Sequence, residues 1–182
     1  NINTPKIYCT SKDFSPAKIK FPCIVKPNIG GRSSCTAKVE NTGELMEFLK
    51  TLPPIEFIFQ EYIKSIDNYT LRIEVINKEV FSAVKRSIDE KGISSYHRGA
   101  VYEKGFELDK HIEDMVMNAL DVLNIKMGGI DVIVSDKGPS IIDVNATSNF
   151  SKAFVDYLQK NPLDKMGDLI IDEYLKIRES AS

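Results

Sequence analysis

The sequence predicts an α+β domain, and three observations predict it. Short apolar, β-prone runs bounded by Pro, Gly and Asn recur between residues 21 and 145. Three helical stretches fall among and after them. Strands and helices do not alternate in the strict strand–helix–strand order of a parallel sheet. The 182 residues, 42% of them hydrophobic and 9% aromatic, are enough for a substantial core, and they exclude a disordered chain.

The elements follow in order. Phe21 to Lys26, flanked by Pro22 and Pro27, reads as a buried strand, and Asn28 to Ser34 as a small-residue loop. Cys35 to Glu40 alternates as a return strand. Thr42 is placed to cap a helix carrying Leu45, Phe48 and Leu49 on one face, stopped by Pro53-Pro54. Phe57 to Tyr62 is a strand leading into a linker at 64–68. Strands over 70–76 and 79–87 are joined by a tight Asn77-Lys78 turn. Residues 88–106 show no periodicity and hold Gly92, Gly99 and Gly105, a loop long enough to suggest a function. Ile112, Met115, Val116, Ala119, Leu120 and Leu123 mark an amphipathic helix from about Asp109. Strands over 128–134 and 140–145 flank Asp136-Lys137-Gly138-Pro139, and Leu163, Met166, Ile170, Ile171 and Tyr174 give a last helix.

Charge and cysteine content narrow the function. Lys and Arg number 24 against 26 Asp and Glu, a net charge of -2, which argues against a general nucleic-acid binder. The basic residues concentrate early: seven of them lie within residues 1–38, against the single acid Asp13. That start reads either as a solvated basic face or as a lobe that meets an anion. Cys9, Cys23 and Cys35 form no CxxC pair, which excludes a disulfide framework or zinc site and points to a reducing, cytoplasmic setting. No apolar run is long enough to span a membrane, and no leader pattern opens the chain.

The pattern richest in chemistry is Gly129-Ile130-Asp131-Val132-Ile133 followed by Ile141-Ile142-Asp143-Val144-Asn145. With Asp136-Lys137-Gly138 as the hairpin loop, Ser135 faces Pro139, and Asp131 falls opposite Asp143. Asn145 shares the face of Asp143. Directly opposed like charges are destabilising, so this register calls for a shared proton or a cation. Oxygen donors without sulfur or imidazole suit magnesium completed by phosphates and water. The alternative is two solvated acids at a ragged strand end.

A magnesium–phosphate site also needs cations. Lys26 ends its strand at the small-residue loop, whose Gly30, Gly31, Ser33 and Ser34 can offer backbone N–H groups to phosphate; no GK[ST] follows, so it is not a Walker A loop. Lys85 and Arg86 point to opposite faces of one strand. Arg86 is the candidate, because guanidinium grips phosphate or carboxylate through two bonds. His97-Arg98-Gly99 lies in the long loop, and two histidines assemble no Ser/His/Asp or Cys/His arrangement.

In this order, Val25-Lys26-Pro27 with its loop, Phe59-Gln60-Glu61-Tyr62-Ile63, Leu71-Arg72, Ala83-Val84-Lys85-Arg86, His97-Arg98-Gly99, Gly129-Ile130-Asp131-Val132 and Asp143-Val144-Asn145 resemble an ATP-grasp carboxylate–amine ligase, most closely the RimK-type branch. The resemblance covers roughly residues 1–150. It implies the ATP-grasp fold, two α+β lobes clasping ATP between antiparallel sheets, here 1–62 and 63–182. Lys26 would contact the nucleotide phosphates and Gly30 to Ser34 would cover them. Glu61, Tyr62 and Ile63 would read adenine through their backbone, with Asp67 or Asn68 near the ribose. Asp131, Asp143 and Asn145 would hold magnesium or manganese. Arg86 and Arg98 would face the transferred phosphoryl group or the substrate carboxylate.

The implied reaction is ADP-forming amide synthesis through an acyl phosphate, with a small carboxylate and an amine or amino acid as substrates. The chain departs from the family pattern at Cys35, where glycine is common. It departs again at Ile93 and Ser95, where polar substrate-facing residues are common, and at Ala146-Thr147-Ser148-Asn149, which lacks a Pro-Gly turn. Its start near Thr4-Pro5 implies a missing N-terminal domain or partner chain, and a second copy of the chain is a further candidate partner. Rival readings are an ATP-grasp kinase acting on a hydroxyl, as in the inositol polyphosphate kinases, and a non-catalytic nucleotide-binding module.

Overall fold

A computed structural model describes residues 2–29, 35–94, 101–148 and 150–180. The strands are β1 (Ile7–Thr10), β2 (Cys23–Pro27), β3 (Ala37–Val39), β4 (Phe57–Glu61), β5 (Tyr69–Ile76), β6 (Glu79–Ser87), β7 (Tyr102–Glu103), β8 (Met127–Ser135) and β9 (Gly138–Asn145). The helices are α1 (Thr42–Leu49), α2 (Lys110–Val122), α3 (Lys152–Leu158) and α4 (Leu163–Ser180). They build two antiparallel sheets, one ordered β1-β4-β2-β3 and the other β7-β6-β5-β8-β9.

In the first sheet the alternation of Cys23-Ile24-Val25-Lys26 sorts the side chains. Cys23 and Val25 are fully buried in a cluster with Val39, Leu45, Phe57 and Phe59. Ile24 and Lys26 point to the opposite face. Asn41 rather than Thr42 caps α1, its side chain accepting the Glu44 N–H at 3.0 Å, so the helix starts at Thr42, one residue earlier than a Thr42 cap would start it.

In the second sheet Leu71, Ile73, Val75, Ile130, Val132 and Ile141 pack against Ile112, Met115, Val116, Ala119 and Leu120 of α2. Full burial of each such aliphatic contributes about 1.5–3 kcal/mol. Asp109 caps α2, accepting the His111 N–H at 2.7 Å. Leu123, expected in that stripe, is the C-cap residue and is 53% exposed. Asn77 and Lys78 both have positive φ (50° and 64°), the backbone that a two-residue hairpin between right-twisted strands needs.

Several elements differ from expectation. β1 is a four-residue edge strand whose pairing with β4 is irregular, too short for alternation to reveal. β7 interrupts the long loop, and α3 follows Ser151, which accepts the Phe154 N–H at 3.3 Å. Most apolar residues of α4 stay outside the core: Met166 and Leu169 are half-buried, none is fully buried, and Leu163, Ile170, Ile171, Tyr174, Leu175 and Ile177 are exposed. Polar contacts hold α4 instead, among them Asn77 to Asp172 at 2.8 Å and Lys165 to Glu79 at 2.5 Å. Among the described residues, no helix is long and apolar enough to cross a membrane.

Candidate functional site

The face of the second sheet turned away from α2 is built in cross-strand rows, because paired residues of antiparallel strands project to the same side. One row runs Ser82, Glu74, Gly129, Asn145; the next runs Val84, Arg72, Asp131, Asp143; the third runs Tyr102, Arg86, Thr70, Ile133. β5 therefore alternates Leu71, Ile73 and Val75 into the core with Thr70, Arg72 and Glu74 onto this face.

A buried ion network occupies the rows. Arg72 Nε donates to Glu74 Oε1 at 2.7 Å, and Arg72 Nη1 donates to Asp131 Oδ1 at 3.2 Å. Arg86 Nη2 takes the other oxygen, Asp131 Oδ2, at 2.7 Å. Burial alone would lower the Arg72 pKa, but Asp131 and Glu74 outweigh it and hold the guanidinium above its ordinary value. Burial raises the Tyr102 hydroxyl, partly offset by the neighbouring Arg86.

Asp131 does pair with Asp143, by a route other than the expected one. The turn is two residues long, with Ser135 opposite Gly138, which on its own would place Ile142 opposite Asp131 and turn Asp143 toward the core. The ladder shifts between Asp131 and Val132, and Ile142 is the extra residue of a bulge that restores the pairing. The bulged Ile142 carbonyl accepts a hydrogen bond from Lys26 Nζ of the first sheet at 3.0 Å. Asn145 Nδ2 lies 3.3 Å from Asp143 Oδ2, so amide and carboxylate already sit together.

A cavity of about 690 Å³ opens between the sheets. Lys26, Glu61, Tyr62 and Ile63 line one side of it, and Arg72, Glu74, Arg86, Asp131, Asp143 and Asn145 the other. Of the paired cations Lys85 and Arg86, only Arg86 reaches the cavity; Lys85 turns to Glu103 and the Tyr69 and Phe106 rings. Ile93 lines the cavity as well, 8% exposed. Asp67 and Asn68 are exposed and lie outside the lining. Gly30, Gly31, Ser33, Ser34, Ser95, His97 and Arg98 lie outside the described residues. Thr70 Oγ1, Glu74 Oε2, Arg86 Nε and Ser148 Oγ, all on cavity-lining residues, are buried without a hydrogen-bond partner among the described residues. Such atoms are costly, and they concentrate where a ligand has yet to supply partners.

The sequence alone does not single out two residues that organise this site: Arg72 stands there only within a motif, and Glu74 in none. The signal lies in Thr70-Leu71-Arg72-Ile73-Glu74-Val75, where polar residues alternate with apolar ones on a central strand. The opposed acids called for a cation, and Arg72 and Arg86 supply positive charge there before any metal does. Among the described residues, no three His, Cys, Asp or Glu side chains gather as a ready-made metal cluster.

Comparison with known proteins agrees with this geometry. The family model of the RimK-like ATP-grasp domain matches residues 8–166. A probable alpha-L-glutamate ligase of Xanthomonas oryzae pv. oryzae is 30% identical over 132 residues, which are 69% of this chain and 43% of that protein. The chain thus spans less than half the length of that relative. The D-alanine–D-alanine ligase of Bacillus anthracis superposes with a TM-score of 0.73 at 21% identity, over 100% of this chain and 65% of that one. The ATP-grasp ligase PsnB, in a complex with a precursor variant, Mg and ADP, superposes with a TM-score of 0.67 at 18% identity, over 96% of this chain and 55% of that one. With 8–166 of its 182 residues matched and the two-sheet architecture shared, the chain belongs to the RimK-like ATP-grasp domain family.

Proposed function

We propose that the chain forms the ATP-binding and metal-binding part of an ADP-forming carboxylate–amine ligase, with 1–62 and 63–182 as its two lobes. The observation that carries this reading is the cleft itself, which sets Lys26 of one sheet against Asp131, Asp143, Asn145 and Arg86 of the other. Lys26 meets the nucleotide phosphates, and the backbone of Glu61 to Ile63 reads the adenine.

The donor set fits magnesium. It contains only oxygen ligands, with Asp143 exposed and Asn145 beside it. Among the described lining residues four carboxylates, Glu61, Glu74, Asp131 and Asp143, stand against the three cations Lys26, Arg72 and Arg86, which leaves net negative charge for a metal ion. Magnesium, when bound, neutralises phosphate charge; Asp131, Asp143 and Asn145 would hold it, with manganese as a substitute.

In the reaction, a carboxylate oxygen bonds to the γ-phosphorus as the β–γ bridging bond breaks, giving an acyl phosphate and ADP. An amine nitrogen then bonds to the acyl carbon as the C–O bond to phosphate breaks, and the nitrogen's proton leaves with phosphate. The residues act by positioning and charge neutralisation, with Arg86 and Arg98 facing the transferred phosphoryl group or the carboxylate. Small carboxylates and amines or amino acids are the substrates, and the cytoplasm is the setting.

The cavity suits a ligase better than a polyphosphate kinase. Among the described lining residues only Lys26, Arg72 and Arg86 are cationic, and Asp131 already engages two of them. The test is incubation with ATP, magnesium and panels of carboxylates, amines and alcohols. ADP release that requires both a carboxylate and an amine, with a new amide detected by mass spectrometry, is expected. A phosphorylated alcohol would replace this reading with the kinase, and tight ATP binding without turnover would replace it with a nucleotide-binding module.

A further inference from the structure

Building on the reading that Asp131, Asp143 and Asn145 hold the divalent ion, we infer that Glu74 is a positioning residue for that site. It acts through Arg72, and it divides the two arginines on Asp131 into a fixed counter-ion, Arg72, and a group free to meet a substrate anion, Arg86.

Arg72 is held at three points. Its Nε donates to Glu74 Oε1 at 2.7 Å, and its Nη1 donates to Asp131 Oδ1 at 3.2 Å. Its Nη2 occupies the space that a side chain at Gly129 would fill, since a Cβ there would lie 1.9 Å away. Glu74 is 1% exposed, so its carboxylate acts on Arg72 without competition from water. Arg86 is held differently. One terminal nitrogen reaches Asp131 Oδ2 at 2.7 Å and the guanidinium also meets the neutral Tyr102 hydroxyl, while its Nε is buried and has no partner among the described residues. It can therefore turn to an incoming anion at less cost than Arg72.

The role of Glu74 follows from guanidinium geometry. A guanidinium prefers to grip a carboxylate through two parallel bonds. With its Nε held by Glu74 and its Nη2 thereby seated over Gly129, Arg72 offers Asp131 a single bond and leaves the second oxygen to Arg86 or to a cation. Without Glu74, Arg72 is free to fork onto both oxygens of Asp131. That fork takes the Asp131 oxygen that a divalent cation at Asp131 and Asp143 needs.

The experiment measures Mn²⁺ affinity by electron paramagnetic resonance in the presence of a non-hydrolysable ATP analogue. Glu74→Gln is expected to weaken Mn²⁺ binding by about 10–100-fold, as supporting residues of metal sites do, while metal-free analogue binding stays unchanged. In the Arg72→Met background, Glu74→Gln should cause no further loss, because its effect passes through Arg72. Wild-type Mn²⁺ affinity in Glu74→Gln, or losses that add in the double variant, would overturn the inference. Should Glu74→Gln not fold, Arg72→Met/Glu74→Met removes both charges together and is compared with Arg72→Met. Equal Mn²⁺ affinity supports the inference and a further tenfold loss overturns it. Asp143→Asn separates the two levels: intact Mn²⁺ binding there removes the metal reading itself, whereas loss there with an inert Glu74→Gln removes only the role of Glu74.

Discussion

The Lys26 ammonium donates to the Ile142 carbonyl at 3.0 Å, joining the first sheet to the bulge of the second across 116 residues of sequence. The bulge that turns Asp143 onto the cavity face thus also presents the acceptor that fixes Lys26. One irregularity places the proposed phosphate-binding cation beside the proposed metal ligands. Replacing Lys26 by Met should weaken ATP-analogue binding about 10–100-fold, the worth of a charged hydrogen bond, as read by calorimetry. Full retention of affinity would remove Lys26 from the nucleotide site.

Asp143 is exposed, and its carboxylate is free of arginine contacts among the described residues. Asp143→Asn should leave the melting temperature close to wild type and abolish the gain in ATP affinity that magnesium gives. Titration of ATP with and without magnesium checks both halves; an undiminished magnesium gain would exclude this carboxylate as a ligand.

Gly129 is required by what lies over it. A methyl group at this position collides with the Arg72 guanidinium, so Gly129→Ala should destabilise the fold by about 1–3 kcal/mol. The cost should shrink in an Arg72→Ala background, where the obstruction is gone. Paired denaturant titrations of the four species measure the coupling, and strict additivity would refute the steric account.

The cysteines should separate by reactivity. Burial, with a smaller contribution from Cys9, pushes the Cys23 thiol up to about 11. At pH 8 only about one Cys23 in a thousand is then the reactive thiolate. Cys35 is partly exposed. Iodoacetamide at pH 8 followed by peptide mass mapping should modify Cys35 first and Cys23 only after unfolding.

Asp13 gives a pH-dependent signal. The Thr10 backbone N–H (2.8 Å), the Thr10 hydroxyl (2.9 Å) and Lys18 (3.1 Å) lower its pKa from 3.8 to about 2. A lowered folded-state value means that the stabilisation is complete above the unfolded-state pKa and fades as pH falls from there through about 2. Carboxyl NMR titration should show an Asp13 midpoint near 2 that rises in Thr10→Val.

Much of this architecture is legible because period and chemistry coincide. The alternation in β2 separates Val25 from Lys26, and the same rule separates Lys85 from Arg86. The Cys35 backbone has φ +55°, the left-handed region where the family's glycine is at ease. Other features depend on long-range structure. The apolar side chains of α4 follow a helical period, but periodicity does not say whether another element covers them. Thr42 and Asn41 are both competent caps, and only the chain's path chooses between them. Arg72 reads as an unremarkable strand residue until Glu74, Gly129 and Asp131 close around it.

The bulge also bears on how this chain should be aligned with its relatives. The extra residue is Ile142, whereas the turn at Asp136-Lys137 has ordinary length. Against a relative with a regular ladder here, a gap opened in the turn keeps Asp131 level with Asp143 but misaligns residues 138–141. Against such a relative the gap belongs between Ile141 and Asp143. Deleting Ile142 would leave the two acids opposed on a regular ladder while removing the carbonyl that Lys26 uses. Gain or loss of one backbone residue at this point therefore makes or breaks the tie between the two sheets with every charged side chain of the site left in place.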